Sequence, residues 1–452
     1  MKNFFRFFCL VCTFFCAGFA YAQKALVKEL KLNNGIPVYF RKNDTSQIDA
    51  LAIVVKGGIA YYSQQDSGIE SVLFDLLCEG SEKYPRNTIN HISFSTESSV
   101  SASTSSDGSV MRTVAIKDYF LQMIEIAADL FKNPSMEQKA YDKIMTNCVQ
   151  EIQSYMNDPQ SLVLYYGDKM IYDGHPYATS SSVTDESVNN ITLEKVRAFH
   201  KTIMDSRRIS LVVYTNHTEN EILELLNKEF ADIPCGAEEL KVLDFPAITV
   251  PAVNGVFLHP DAAKTGYAAR FFASAPVTDP DYAVSRVASI IYDGIMFSVV
   301  RENYGACYSP QTYMESSFAP YACEYIFKIS DLENFVKYVE EARHIMASGK
   351  VICGRDQDGN YIFEDLADRL EGYKNTYINK KYATQSTTYG IVARMAASLL
   401  QFGDVQKADE LSVIAKRCTV QDVLRVFKKY WIDESSAWVV ITGPEEESKV
   451  HF

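Results

Sequence analysis

A repeat constrains this 452-residue chain more than any other feature. Thr192-Leu193-Glu194-Lys195-Val196 recurs as Thr419-Val420-Gln421-Asp422-Val423, and Leu211-Val212-Val213-Tyr214-Thr215 recurs as Trp438-Val439-Val440-Ile441-Thr442. Both pairs share a gapless offset of 227 residues. Each copy reads as a threonine-capped amphipathic helix leading into a buried strand. An offset close to half the chain predicts a duplicated domain rather than a chance likeness between two helix–strand units. The first copy opens with the hairpin signal Asn34-Gly35 between two short strands. Ile69, Val72, Leu73, Leu76 and Leu77 then fall at helical spacing. Strands followed by helices, twice over, predict an α+β protein of two homologous domains, each a mainly antiparallel sheet with helices on one face. Pro234, Pro246, Pro251 and Pro260 mark residues 232–260 as a linker that extends into the first strand of the second domain. The expected domains are therefore 23–231 and 261–452.

Residues 1–22 read as a signal peptide. Lys2 and Arg6 precede an apolar run from Phe7 to Ala20, and Ala20-Tyr21-Ala22 offers the small-x-small site for cleavage before Gln23. The run is shorter than the roughly 20 residues a membrane span needs, so the expectation is an exported, periplasmic or secreted protein with no stable membrane anchor. With 44 Lys+Arg against 57 Asp+Glu, the formal charge of −13 disfavours nucleic acid as a partner. Removing the leader takes away Cys9, Cys12 and Cys16. The seven cysteines left, Cys78, Cys148, Cys235, Cys307, Cys323, Cys353 and Cys418, contain no Cys-x-x-Cys pair and suggest neither a zinc knuckle nor a disulfide scaffold.

Three segments carry a resemblance: Gly68–Pro85 (GIESVLFDLLCEGSEKYP), Ser101–Thr104 with Asp107, and Arg301–Ser309 (RENYGACYS). With the doubled strand-then-helix order, they make the chain resemble the insulinase/pitrilysin superfamily of zinc peptidases. The resemblance is nearest to the short two-domain branch that includes the mitochondrial processing peptidase. It implies a clamshell cavity between the two domains. The family's inverted motif is His-x-x-Glu-His, two zinc-binding histidines one turn apart with a glutamate that activates water. In the register set by Gly80-Ser81-Glu82-Lys83-Tyr84, the first histidine position holds Ser71, the glutamate position Phe74 and the second histidine position Asp75. The third ligand of the family corresponds to Glu151, and one carboxylate alone cannot hold zinc or lower the pKa of its water. No two of the seven histidines (His91, His175, His200, His217, His259, His344 and His451) lie three or four residues apart. No catalytic residue and no cofactor are therefore expected in this chain, and zinc is expected only in a partner subunit.

The resemblance also implies what is kept. Arg301-Glu302-x-x-Gly305-x-x-Tyr308-Ser309 resembles the motif whose arginine and tyrosine grip the substrate backbone. The competing reading has Arg301 capping a helix C-terminus and Tyr308 packed at the sheet. Ser101, Ala102 and Ser103 fall on the edge strand to which the family adds its peptide through main-chain hydrogen bonds. A serine-rich loop is the alternative there. The first functional expectation is a non-peptidase homologue that supplies the substrate grip to a catalytic, zinc-bearing partner, with a peptide or unfolded segment as ligand. The second is a stand-alone peptide-binding or scaffolding protein. The third is hydrolysis at a metal site rebuilt from Asp75 and Glu151.

Overall fold

The computed structural model describes residues 27–452. The expected signal peptide and its three cysteines lie outside the described residues. The chain forms two compact units, each assembled from separate stretches of sequence. One holds the described residues up to 146, then 180–242 and 384–406. The other holds 147–179, 243–383 and 407–452. A single cut within 232–260 therefore does not describe the division. The chain does change unit there, at Val242/Leu243, but each unit also takes in a segment from the other half of the sequence.

The first unit is built on six strands: β1 (Val27–Lys31), β2 (Pro37–Lys42), β3 (Ile48–Lys56), β4 (Ser99–Ser105), β5 (Gly108–Ile116) and β6 (Ile209–Thr215), in the order β1-β2-β6-β3-β5-β4. Asn34-Gly35 turns β1 into β2, with Gly35 at φ 88, a conformation glycine adopts without strain. Only β2 and β6 run parallel. The central strands are buried on both faces, and β6 has no exposed residue. The helices Ile69–Leu77 and Lys117–Lys132 pack on the sheet. The opposite face, Ala50, Ala52, Val54, Val110 and Val212, is covered by Val392, Met395, Ala396 and Leu399 of the helix Thr388–Phe402. Thr387 caps that helix and Gly403, at φ 69, ends it.

The second unit repeats the plan. Its five strands β7 (Gly255–Leu258), β8 (Gly266–Ala273), β9 (Ser309–Met314), β10 (Tyr321–Ile329) and β13 (Ser436–Thr442) run in the order β7-β13-β8-β10-β9. Position for position this matches β2-β6-β3-β5-β4, including the parallel pair at one end. A separate hairpin, β11 (Lys350–Arg355) and β12 (Tyr361–Asp365), stands apart from the sheet. The repeat seen in the sequence is a repeat of structure: β6 and β13 start and stop 227 residues apart. Thr192 and Thr419 both accept a backbone hydrogen bond from the third residue of the helix they open.

The helix Pro159–Ile171 covers the second sheet, placing Leu162, Val163 and Ile171 against Ala269, Phe271, Val439 and Ile441. Asp158 caps it through Gln160 and Ser161, ahead of Pro159. Gly167 is required there, because a Cβ would meet the Phe271 ring at 2.2 Å. Each sheet thus has, beyond the expected helices, one further helix on its other face, supplied from the opposite half of the chain. Among the described residues one helical run, Asp281–Asn303, is long and apolar enough to cross a membrane, and two thirds of it is buried as a core helix would be.

Candidate functional site

The helix Ile69–Leu77 starts after Gly68, held at φ 83. Ser71 and Asp75 are one turn apart and share its outward face, the arrangement the two histidines of an inverted motif would have. The Ser71 hydroxyl is engaged locally, donating to the Gly68 carbonyl at 2.8 Å. Phe74 is turned into the core and is 1% exposed. A hydroxyl and a single carboxylate on that face do not make the nitrogen-rich tetrahedral set zinc takes, so these residues do not fit the metal. Glu151 is exposed on the helix Gln138–Met156, in the other compact unit from Asp75. Among the described residues no three His, Cys, Asp or Glu side chains are grouped to hold a metal ion.

Five of the seven histidines have structural partners. His175 meets the Pro246 carbonyl, His200 that of Phe131 and His217 that of Lys117. His259 accepts the Asp261 amide, and His344 contacts the Glu340 carbonyl of its own helix. The seven cysteines among the described residues are free thiols.

In the second unit, the helix Asp281–Met296 continues as a π-helical turn, Phe297–Asn303, that carries Arg301. Gly305, at φ 58, reverses the chain, and the Tyr308 amide donates to the Phe327 carbonyl as β9 begins. Arg301 and Tyr308 are thereby brought together. The guanidinium carbon lies 5.1 Å from the Tyr308 ring centroid and 5.0 Å from that of Phe297, a cation between two rings. The last carbonyls of the turn, Val299, Val300 and Arg301, are taken by the amides of Tyr304, Ala306 and Gly305. Arg301 therefore does not cap them, and Tyr308 is 65% exposed rather than packed at the sheet. Among the described residues the Arg301 side chain has no hydrogen bond or ion pair, so its forked donors face whatever approaches.

Ser101, Ala102 and Ser103 lie on β4, a regular strand rather than a loop and the last strand of the first sheet. They pair with Arg112, Met111 and Val110 of β5. The opposite edge of β4 has no strand partner among the described residues, and no proline or lysine interrupts it.

Sequence reasoning missed two buried polar clusters. Glu70 is fully buried, and neither carboxyl oxygen has a hydrogen-bond partner. Burial pushes its pKa up to about 7, against the opposing pull of the Ser109 hydroxyl and the Arg208 guanidinium. Arg208 spends Nε and Nη1 on the Lys56 and Thr202 carbonyls and leaves Nη2 unpaired, as is the Tyr62 hydroxyl. The second cluster joins Asp168, Glu315, Tyr172 and Tyr321. Burial raises Asp168 to about 7, with Tyr321 hydrogen-bonding it in opposition, and burial also raises Glu315. The Tyr172 hydroxyl lies between the Glu315 carboxyl and the Ala319 carbonyl, 3.0 Å from the latter. One phenol hydrogen faces two acceptors. The phenol hydrogen is therefore shared between the Glu315 carboxyl and the Ala319 carbonyl, and the Ser317 hydroxyl also donates to Glu315. The available signal was a glutamate or aspartate inside an otherwise apolar helical face.

Comparison with known proteins places these features. The family described as insulinase (peptidase family M16) matches residues 38–185, and the peptidase M16 inactive domain matches residues 190–348, together more than half the chain. A probable mitochondrial-processing peptidase subunit beta of Schizosaccharomyces pombe is 20% identical over 47% of this chain and 46% of its own length. The non-peptidase homologue YmxG of Helicobacter pylori is 18% identical over 44% of this chain and 46% of its own. The matched stretches thus span about half the length of these curated relatives. The crystal structure of a peptidase M16 inactive domain from Pseudomonas fluorescens shares the fold at a TM-score of 0.78 and 16% identity, over 92% of this chain and 98% of that one.

Proposed function

This chain belongs to the insulinase (M16) peptidase family, and we propose that within it the chain is an exported, metal-free subunit that grips peptide for a zinc-bearing partner. One contrast supports this reading most. The positions of the inverted zinc motif hold Ser71, Phe74 and Asp75, whereas a half-buried Arg301 and an exposed Tyr308 stand together, the guanidinium unspent. A guanidinium held between two rings presents its donors to a peptide carbonyl or carboxylate, and a phenol beside it offers a further donor. The open edge of β4 at Ser101, Ala102 and Ser103 suits main-chain pairing with an extended peptide. A relative that is one subunit of a processing peptidase favours a peptidase-like partner.

Metal analysis and a peptidase assay of the mature chain test the proposal, alone and with a His-x-x-Glu-His homologue from the same compartment. The expected result is no stoichiometric zinc and no cleavage alone, and faster cleavage by the homologue when this chain is present. One zinc per chain with chelator-sensitive cleavage would overturn it. A second reading, peptide capture without a partner, is favoured by the Arg301–Tyr308 pair lying wholly within one unit. A pull-down that recovers peptide but no zinc peptidase selects it.

A further inference from the structure

Beside Tyr308 stands a second cation that the family motif does not contain. Lys328 lies on β10 where pairing with β8 slips between Ile326 and Ile329. It occupies the bulge at φ 52, a left-handed conformation that glycine adopts freely and a lysine does not. Bulges re-aim the side chain they carry, and strained backbone concentrates where function holds it. Here the bulge leaves Lys328 exposed and puts its ammonium 6.0 Å from the centroid of the Tyr308 ring that Arg301 also faces. One exposed phenol is thus bordered by two cations. Among the described residues neither cation forms an ion pair, although acidic side chains outnumber basic ones in the chain, 57 to 44.

We infer that Arg301 and Lys328 form a carboxylate-binding clamp over Tyr308, so that the gripped peptide is one presenting an acidic side chain or a free C-terminus. The inference rests on the reading that Arg301 and Tyr308 hold peptide, and it adds the ligand's chemistry. A neutral carbonyl needs only the arginine's fork. Two unspent cations around one ring suit a full negative charge, and charge-assisted hydrogen bonds to it are about twice as strong as neutral ones. Lys328 is the residue that sets this preference.

Three fluorescent peptides of the same uncharged sequence separate the sources: one amidated, one with a free C-terminus, and one amidated with a central glutamate. Binding is measured by anisotropy with the full mature chain. At least one carboxylate-bearing peptide should bind about tenfold tighter than the neutral amide, and high salt should erase the difference. Lys328→Gln should cut the preference to about twofold while leaving affinity for the neutral amide nearly unchanged. Lys328→Gly, which also suits the bulge, should do the same, and Lys328→Arg should retain the preference. If the wild type binds all three equally, or both neutral variants keep the preference, the clamp is wrong and the peptide grip stands. Should the wild type bind none of the three, the grip fails and the clamp with it.

Discussion

The helix Ile69–Leu77 of the first unit and the helical run Asp281–Asn303 of the second occupy equivalent places in a repeated plan, yet they have come to opposite ends. In the first, the outward face carries a locally bonded serine and one aspartate, and its phenylalanine is sunk in the core. Its unsatisfied polarity has moved inward, to Glu70 against Tyr62 and Arg208. In the second, the polarity lies outside, where Arg301 waits between two rings. The same framework can present such different outward faces without loss of fold because the residues that carry the packing are different ones: Leu73, Phe74 and Leu77 there, Val299 and Val300 here.

Phenylalanines at the two places should therefore behave differently. Phe74→Ala empties a filled core position and should cost about 4 kcal/mol in urea unfolding. Phe297→Ala, at a ring 37% exposed, should cost under about 1 kcal/mol and act instead on Arg301. Equal losses would break the comparison. Gly167→Ala forces a methyl into the Phe271 ring and should cost about 3 kcal/mol, with melting shifted for the second unit first.

The buried acids give both units a pH dependence of one sign. Glu70 is raised from 4.5 to about 7 and Asp168 from 3.8 to about 7. The folded state keeps protons that the unfolded chain releases. Their contribution is complete below the unfolded values and is lost as pH climbs through 7. Glu70→Gln should flatten that slope and stabilise the chain at pH 8 by up to roughly 3 kcal/mol relative to wild type. A slope unchanged by Glu70→Gln would place the titrating group elsewhere, and Asp168→Asn would then be compared. The smallest effect on stability belongs to Arg301→Ala and Tyr308→Phe. Each should leave the melting temperature nearly unchanged yet weaken peptide binding about tenfold.

Much of this was legible because it depends on short-range pattern. The hairpin at Asn34-Gly35, the capped helices after Thr192 and Thr419, and the strands that follow them are local consequences of turn chemistry, caps and period. The expectation for Ser71, Phe74 and Asp75 needed only a register, and the structure adds that Ser71 and Asp75 share the outward face while Phe74 is buried. Lys328 could not be found this way, since a single lysine in an apolar strand gives no hint that pairing slips there. Glu70 and Arg208 are 138 residues apart in sequence, and nothing local marks them as neighbours.

By itself the sequence determined that the chain is doubled, that both copies are sheets with helices, and that no two histidines lie three or four residues apart. Only the tertiary structure decided which sheet each helix covers. The faces of Pro159–Ile171 and Thr388–Phe402 are apolar and would bury against many surfaces. Burial is non-directional, so choosing between two similar sheets falls to fit: Gly167 against Phe271 in one, Ala396 and Leu399 over Ala50 and Ala52 in the other.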